Sequence, residues 1–119
     1  MKKLISWVEI PATNMGRAVK FYANILEIEL EILDFGNEKM ACFPSGEGAI
    51  SQAKDFKPSE NGVLVSINAG HKMDETLKKI VANGGTIVKA KTKIEAENKG
   101  YFATFIDCEG NKLGLYGAI

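Results

Sequence analysis

The fold of this chain is decided by the stretch SWVEIPATNMGRAVKFYANIL, residues 6–26, in which a strand is followed by a helix. Residues 4–10 alternate in polarity, which predicts a strand. Pro11 ends that strand, and Asn14 is suited to cap the N-terminus of a helix. The apolar residues that follow recur at intervals of three and four, as on one face of an amphipathic helix: Met15, Ala18, Val19, Tyr22, Ile25 and Leu26.

The same order of elements is predicted twice along the chain. After the first helix, short strands are predicted over residues 27–34, 38–43 and 49–53. A polar stretch that contains a proline, residues 54–61, is the predicted linker. The second half then has an alternating strand through Val63, Val65 and Ile67, a helix marked by Met73, Leu77, Ile80 and Val81 and stopped by Asn83-Gly84-Gly85, and strands over 86–91, 100–107 and 111–116.

This order predicts an α+β fold made of two βαβββ modules, residues 1–53 and 62–119, within a single domain. The helix of each module covers only one face of its sheet. Two such sheets side by side would curl into an open barrel with both helices outside. The concave inner face of such a barrel is where a small molecule would bind.

Composition excludes several classes of function. The chain has 119 residues, and its 15 basic residues balance 15 acidic ones. A nucleic-acid partner is therefore not expected, because such proteins carry a strong basic excess. Glu9 interrupts the short apolar run after Lys2 and Lys3, so neither a signal peptide nor a membrane span is expected. Cys42 and Cys108 lack CxxC spacing, which favours buried reduced thiols in a cytoplasmic protein over a disulfide or redox pair.

Several segments resemble the vicinal oxygen chelate (glyoxalase/bleomycin resistance/dioxygenase) superfamily over essentially the whole chain. They are Val8–Pro11, Arg17–Tyr22, Met40–Pro44, Gly100–Asp107 and Glu109–Asn111. The similarity is greatest to the branch of predicted enzymes related to lactoylglutathione lyase. It implies the barrel fold, and it implies a homodimer, since the superfamily commonly pairs modules across chains.

The resemblance also allows a test for a metal. Metal-dependent members place His, Glu or Gln ligands on the first and last strand of each module, because a divalent ion needs nitrogen or oxygen donors. Carried over, these positions fall at Trp7, Ser51, Gly62 and Gly114, with Gln52 next to the second. None of the four is a usual ligand, and the single histidine, His71, is interpreted as an exposed loop residue. We therefore expect no metal and no other cofactor.

Six residues are predicted to line the cavity. Trp7 and Glu9 should face it, because Val8 and Ile10 would take the face under the helix. Glu9 is a candidate general base, and the alternative is a salt-bridged residue at the rim. The remaining candidates are small or aromatic: Ser51, Ser66, Gly114 and Tyr116. Tyr116 could hydrogen-bond a ligand or serve only as an aromatic lid, and Gly114 leaves room for one.

Two further patterns, one of lysines and one at a cysteine, each have a functional and a structural interpretation. Lys89, Lys91 and Lys93 recur at period two and could attract an anion, although lysines at that spacing more often protect an edge strand. Cys42 could be a nucleophile, but no histidine is placed to activate it, which favours a buried structural thiol.

Three hypotheses of function follow. The first is a protein that binds a small organic molecule in the barrel cavity without a metal, as a homodimer. The second is a metal-independent lyase or isomerase related to lactoylglutathione lyase, with Glu9 as base, and turnover of an α-keto or hemithioacetal substrate would distinguish it. The third is a structural partner domain, which a collapsed cavity and a large exposed apolar patch would favour.

Overall fold

The computed structural model describes residues 2–118, which form two four-stranded sheets and two helices. The first module comprises β1 (Val8–Pro11), α1 (Met15–Leu26), β2 (Leu33–Asp34), β3 (Glu38–Cys42) and β4 (Gly48–Ala53). The second comprises β5 (Ser66–Gly70), α2 (Met73–Ala82), β6 (Thr86–Lys93), β7 (Tyr101–Ile106) and β8 (Lys112–Gly117). Neither helix is long and apolar enough to cross a membrane.

The two modules have the same topology. Sheet A has the strand order β1-β4-β3-β2 and sheet B the order β5-β8-β7-β6. In each sheet the first and last strands of the module are parallel, and the other pairs are antiparallel. The predicted α+β fold with two βαβββ modules is therefore confirmed. No strand of sheet A pairs with a strand of sheet B within residues 2–118, so one chain does not close a barrel by itself.

Both ends of helix α1 are set by capping residues. The Asn14 side chain accepts a hydrogen bond from the N–H of Arg17 at 3.1 Å, which confirms the predicted N-cap. Glu27 ends the helix in the left-handed conformation. In the second helix, the predicted stop is also confirmed, because Gly84 has a φ of +98° that glycine adopts without steric cost.

The core lies between the helices and one face of each sheet. Its fully buried side chains come from both helices and both sheets, and include Phe21, Tyr22, Ile50, Ile80, Phe105 and Leu115. The two helices also contact each other, and Asn24 donates a hydrogen bond to Asn83 at 2.8 Å. Because each helix covers one face of its sheet, the opposite face of each sheet, its open face, is left without a covering element.

Three predicted strands are shorter than expected. β1 begins at Val8 rather than at residue 4, β5 begins at Ser66, and β2 is reduced to two residues. Strand pairing explains these differences. Val8 is opposite Gly48, the first residue of β4, so the residues before Val8 have no neighbour to pair with, and Leu4 is 94% exposed. Gly62, a predicted metal-ligand position, consequently lies before β5 and not on a strand.

Candidate functional site

The open face of sheet A presents Glu9 and Ser51. Strand register aligns Glu9 with Ala49 and Cys42 across three strands. Ile10 is buried in the core, so the predicted alternation is confirmed, and Glu9 lies on the opposite face. Trp7 immediately precedes β1 and is 43% exposed.

One hydrogen bond fixes the Glu9 carboxylate. The buried Ser51 hydroxyl donates to Glu9 Oε1 at 2.7 Å. Glu9 itself is exposed and has no basic partner among residues 2–118, so the predicted alternative of a salt bridge at the rim is not found. The second carboxylate oxygen is available to a ligand or to an abstracted proton.

Cys42 also lies on this open face, and its predicted burial is wrong. The alternation of β3 places Ala41 in the core, so Cys42 is directed to the other side of the sheet and is exposed. Both cysteines are free thiols, as predicted.

The open face of sheet B presents hydroxyl groups and lysines. Register aligns Ser66, Gly114, Thr104 and Lys89 in one row across its four strands. Gly114 is buried, and a Cβ there would collide with the Ser66 hydroxyl. The close approach of β5 and β8 is thus a structural reason for this glycine, in addition to any space it leaves for a ligand.

Tyr116 lies in the next row of the same face, opposite Asn68 and Phe102. Its hydroxyl donates a hydrogen bond to the backbone carbonyl of Lys99, in the loop between β6 and β7. The side chain is 36% exposed. Tyr116 therefore presents its ring to the open face while its hydroxyl is bonded to the loop.

The six predicted site residues therefore form two groups. Glu9 and Ser51 lie on the open face of sheet A, Trp7 directly precedes the first strand of that sheet, and the other three lie on the open face of sheet B. Because the two sheets share no strand pair, one chain does not bring the two groups together along a continuous sheet.

The period-two spacing of the lysines on β6 implies that Lys89 and Lys91 share one face of the strand, and this is wrong. Lys89 Nζ lies 5.9 Å from the centre of the Phe102 ring, on the open face. Lys91 Nζ lies 4.6 Å from the centre of the Tyr101 ring and pairs with Asp74 of α2 at 3.3 Å. Adjacent residues of β7 face opposite sides, so these two lysines do as well. Register shifts between β6 and β7 cause the inversion.

A buried polar network at the junction of the modules was not predicted. Glu109, in the turn between β7 and β8, accepts hydrogen bonds from the backbone N–H of Thr13 at 2.8 Å and of Asn14 at 2.9 Å. Its other oxygen pairs with Arg17. Helix α1 has no acidic residue in its first turn, and Glu109 supplies the negative charge from the other module. The absence of an acidic residue from the first turn of α1 is the sequence feature that could have indicated a carboxylate supplied from elsewhere in the chain.

This pairing governs the ionisation of Glu109. Burial raises the pKa of the carboxyl, but the hydrogen bonds from Arg17, Asn14 and Thr13 outweigh burial and lower its pKa to about 2. Burial, with the carboxylates of Glu109 and Asp107, raises the pKa of Cys108 to about 12. Cys108 is thus a poor nucleophile.

Asp107 extends the network into the core. Its carboxylate accepts a hydrogen bond from the Tyr22 hydroxyl at 2.6 Å and from the Asn111 side chain at 3.0 Å. The Asn111 amide also donates to the carbonyl of Pro11 at 2.7 Å. Burial and the adjacent Asp107 raise the pKa of Tyr22 well above its ordinary value. These contacts join the end of β1, helix α1 and the β7–β8 turn.

Two concave regions lie away from the predicted site. A cleft of about 230 Å³ lies where β1 and β4 end and β3 begins. Its lining includes Lys39, Lys54 and Lys57, together with Thr13 and Gln52. A second, of about 490 Å³, is formed by residues 93–101. Neither is lined by any of the six predicted residues.

His71 and Gln52, the remaining candidate metal ligands, do not lie on the open faces. His71 is exposed, as predicted, in the turn before α2. Gln52 faces the helix side of sheet A, where its side chain accepts a hydrogen bond from the N–H of Met15 at 3.0 Å. Residues 2–118 contain no group of three or more His, Cys, Asp or Glu side chains arranged to hold a metal ion.

The two-module topology is shared with known structures. A glyoxalase/bleomycin resistance protein from Albidiferax ferrireducens T118 superimposes with a TM-score of 0.71 at 20% identity, over 98% of this chain and all of that one. A glyoxalase/bleomycin resistance protein/dioxygenase family enzyme from Burkholderia phytofirmans PsJN gives 0.71 at 16% identity, over 96% and 98%. This chain has the glyoxalase/bleomycin resistance/dioxygenase fold. The fold implied by the sequence resemblance is confirmed.

A protein named for resistance to an antibiotic also has this fold. The fosfomycin resistance protein FosX from Listeria monocytogenes superimposes with a TM-score of 0.69 at 16% identity, over all of this chain and 96% of that one. No protein-family model and no curated protein matches the sequence. At these identities the similarity establishes the glyoxalase/bleomycin resistance/dioxygenase fold, and function has to be argued from the open faces.

Proposed function

We propose that this protein binds a small organic molecule between the open face of sheet A and the open face of sheet B of a second copy. The main observation behind the proposal is that a helix covers only one face of each sheet and leaves the other face open. One face packs on a helix, whereas the other is uncovered, with Tyr116 on the open face of sheet B at 36% exposure and Trp7, directly before β1 of sheet A, at 43% exposure. Exposed aromatic surface next to fixed polar groups is typical of binding sites.

A homodimer is part of this proposal. A second copy could bury surfaces that one chain leaves open. These surfaces are the unpaired edges of β1 and β5 and the open faces of the two sheets. Pairing sheet A of one chain with sheet B of the other would create two equivalent sites and bring together the two groups of predicted residues. A cytoplasmic location is also proposed, because two free thiols fit a reducing compartment.

Binding is proposed to be metal-independent. At the positions carried over from the resemblance, Trp7, Gly62 and Gly114 provide no donor side chain, and the Ser51 hydroxyl is already bonded to Glu9. Glu9 alone could hold a hard cation only weakly.

Native mass spectrometry of freshly purified protein tests these statements together. We expect a dimer that carries a small organic molecule on each chain, and elemental analysis without stoichiometric zinc, nickel, iron or manganese. A bare 12.9 kDa monomer would contradict the binding proposal, and about one metal ion per chain would contradict the metal-independent part.

A second candidate function is a metal-independent lyase or isomerase related to lactoylglutathione lyase. It is favoured by the contact between Ser51 and Glu9, which orients the carboxylate as a general base would require. Turnover of a hemithioacetal or α-keto substrate, lost by at least a hundredfold in Glu9→Gln but retained in the exposed control Glu47→Gln, would support catalysis. Binding without turnover would leave only the first function.

A further inference from the structure

We propose that the bound molecule is a small organic anion, and that the open face of sheet B holds its oxyanion through Lys89. The inference rests on the proposed binding function and specifies its ligand. It is drawn from the different charges of the two open faces.

The open face of sheet B carries basic and hydroxyl groups but no carboxylate. Strand alternation and register place these residues of β5 to β8 on it: Ser66, Asn68, Thr86, Lys89, Thr92, Phe102, Thr104, Ile106, Lys112, Gly114 and Tyr116. The open face of sheet A has the opposite character, since Glu9 and Glu38 are its charged residues. An anion would therefore be attracted to sheet B and repelled by sheet A.

Lys89 is positioned to meet such a group. Its ammonium leans over the Phe102 ring, which is a favourable cation–π geometry that directs it along the open face. Thr104 is directly opposite Lys89 on the neighbouring strand, so its hydroxyl can donate to an oxyanion bound there.

Lys89 is also electrostatically unsatisfied. It has no carboxylate partner within residues 2–118, whereas Lys91, on the other side of the same strand, is paired with Asp74. The two lysines share a strand and a charge but differ in the face they occupy. Lys91 is consequently a matched control for Lys89.

The test compares ligands of one size and different charge. The purified protein is titrated with benzoate, phenyl phosphate, benzyl alcohol and benzylamine. Binding is followed by backbone amide chemical shifts and by the fluorescence of Trp7, the only tryptophan. We expect at least one anion to bind about tenfold more tightly than benzyl alcohol, and that preference to be lost in Lys89→Gln but kept in Lys91→Gln.

The outcomes separate this inference from the proposed function. If benzyl alcohol binds as tightly as both anions, or Lys89→Gln retains the preference, small-molecule binding stands and the anionic ligand is overturned. If Lys89→Gln weakens the dimer and leaves anion binding unchanged, Lys89 pairs with the second copy, and the inference is also overturned. If none of the four compounds perturbs either open face, the result contradicts both proposals.

Discussion

The two modules have the same topology but satisfy their helix N-termini by different means. Helix α2 has its own acidic residues, Asp74 and Glu75, in its first turn and no side-chain cap. Helix α1 has a cap, Asn14, but no acid, and it receives the Glu109 carboxylate from the β7–β8 turn. The first module thus depends on the second for a charge that the second provides for itself. The β7–β8 turn of the second module is thereby joined to the start of α1 in the first module.

The largest expected effect of breaking this arrangement is at Glu109. Glu109→Ala leaves the N–H groups of Thr13 and Asn14 without their acceptor and the Arg17 guanidinium without its partner, so we expect a loss of about 3 kcal/mol in unfolding free energy. The matched variant Glu75→Ala, at the exposed start of α2, should cost less than about 1 kcal/mol. Urea denaturation measures both. Equal losses would show that the two helix N-termini are equivalent.

Acid should remove the same stabilisation without mutation. The pKa of Glu109 is lowered from 4.5 to about 2 on folding. Its contribution is therefore complete above about pH 5 and is lost as the pH falls toward 2. We expect the stability advantage of the wild type over Glu109→Gln to be constant between about pH 6 and 7, to be mostly lost near pH 2 and to vanish below it. An advantage at pH 2 as large as that at pH 6 would contradict the ionic role of this carboxyl.

A smaller effect is expected where the network enters the core. Tyr22→Phe removes the 2.6 Å hydrogen bond to Asp107 and should cost about 1–2 kcal/mol. Tyr101→Phe, in the second module, is the control, because the hydroxyl of Tyr101 forms no hydrogen bond within residues 2–118, and it should change stability by less than about 0.5 kcal/mol. Thermal and urea unfolding of both variants test this difference. A loss in Tyr101→Phe as large as in Tyr22→Phe would remove the special role of Asp107.

The cysteines should differ in reactivity without any change in stability. Cys42 is exposed on the open face of sheet A, whereas the raised pKa of Cys108, about 12, leaves roughly one molecule in ten thousand as thiolate at pH 8. We expect iodoacetamide at pH 8 to alkylate Cys42 first, as measured by peptide mass spectrometry. Faster alkylation of Cys108 would mean that the junction opens.

Sequence predicted the features that depend on near neighbours. The strand–helix order, the Asn14 cap, the Gly84 stop and the alternation of Val8 to Ile10 all follow from local spacing, and the structure confirms them. The predicted lengths of β1 and β2 were wrong because a strand extends only as far as its neighbour pairs with it. No local pattern contains that information.

The site was predictable only in part for the same reason. Alternation placed Glu9 correctly, but the register shifts between β6 and β7, which put Lys89 and Lys91 on opposite faces, leave no mark in the sequence. The role of Glu109 depends on contacts with residues 95 and 96 positions earlier in the chain. The predicted enclosure of all six site residues assumed a barrel, which two separate sheets in one chain do not form.

The most direct test of the central claim, that each site is shared between two chains, is native mass spectrometry of Trp7→Ala and Tyr116→Ala chains produced together. Trp7→Ala removes the exposed aromatic side chain directly before β1 of sheet A, which we propose belongs to the site, and Tyr116→Ala alters the open face of sheet B. Each homodimer of variants then has two damaged sites, whereas the mixed dimer has one doubly damaged and one intact site. We predict that the wild-type dimer carries two ligands, the mixed dimer one, and the variant homodimers none. A mixed dimer that carries no ligand while the wild type carries two would contradict the shared site, because sites built within single chains cannot be restored by mixing.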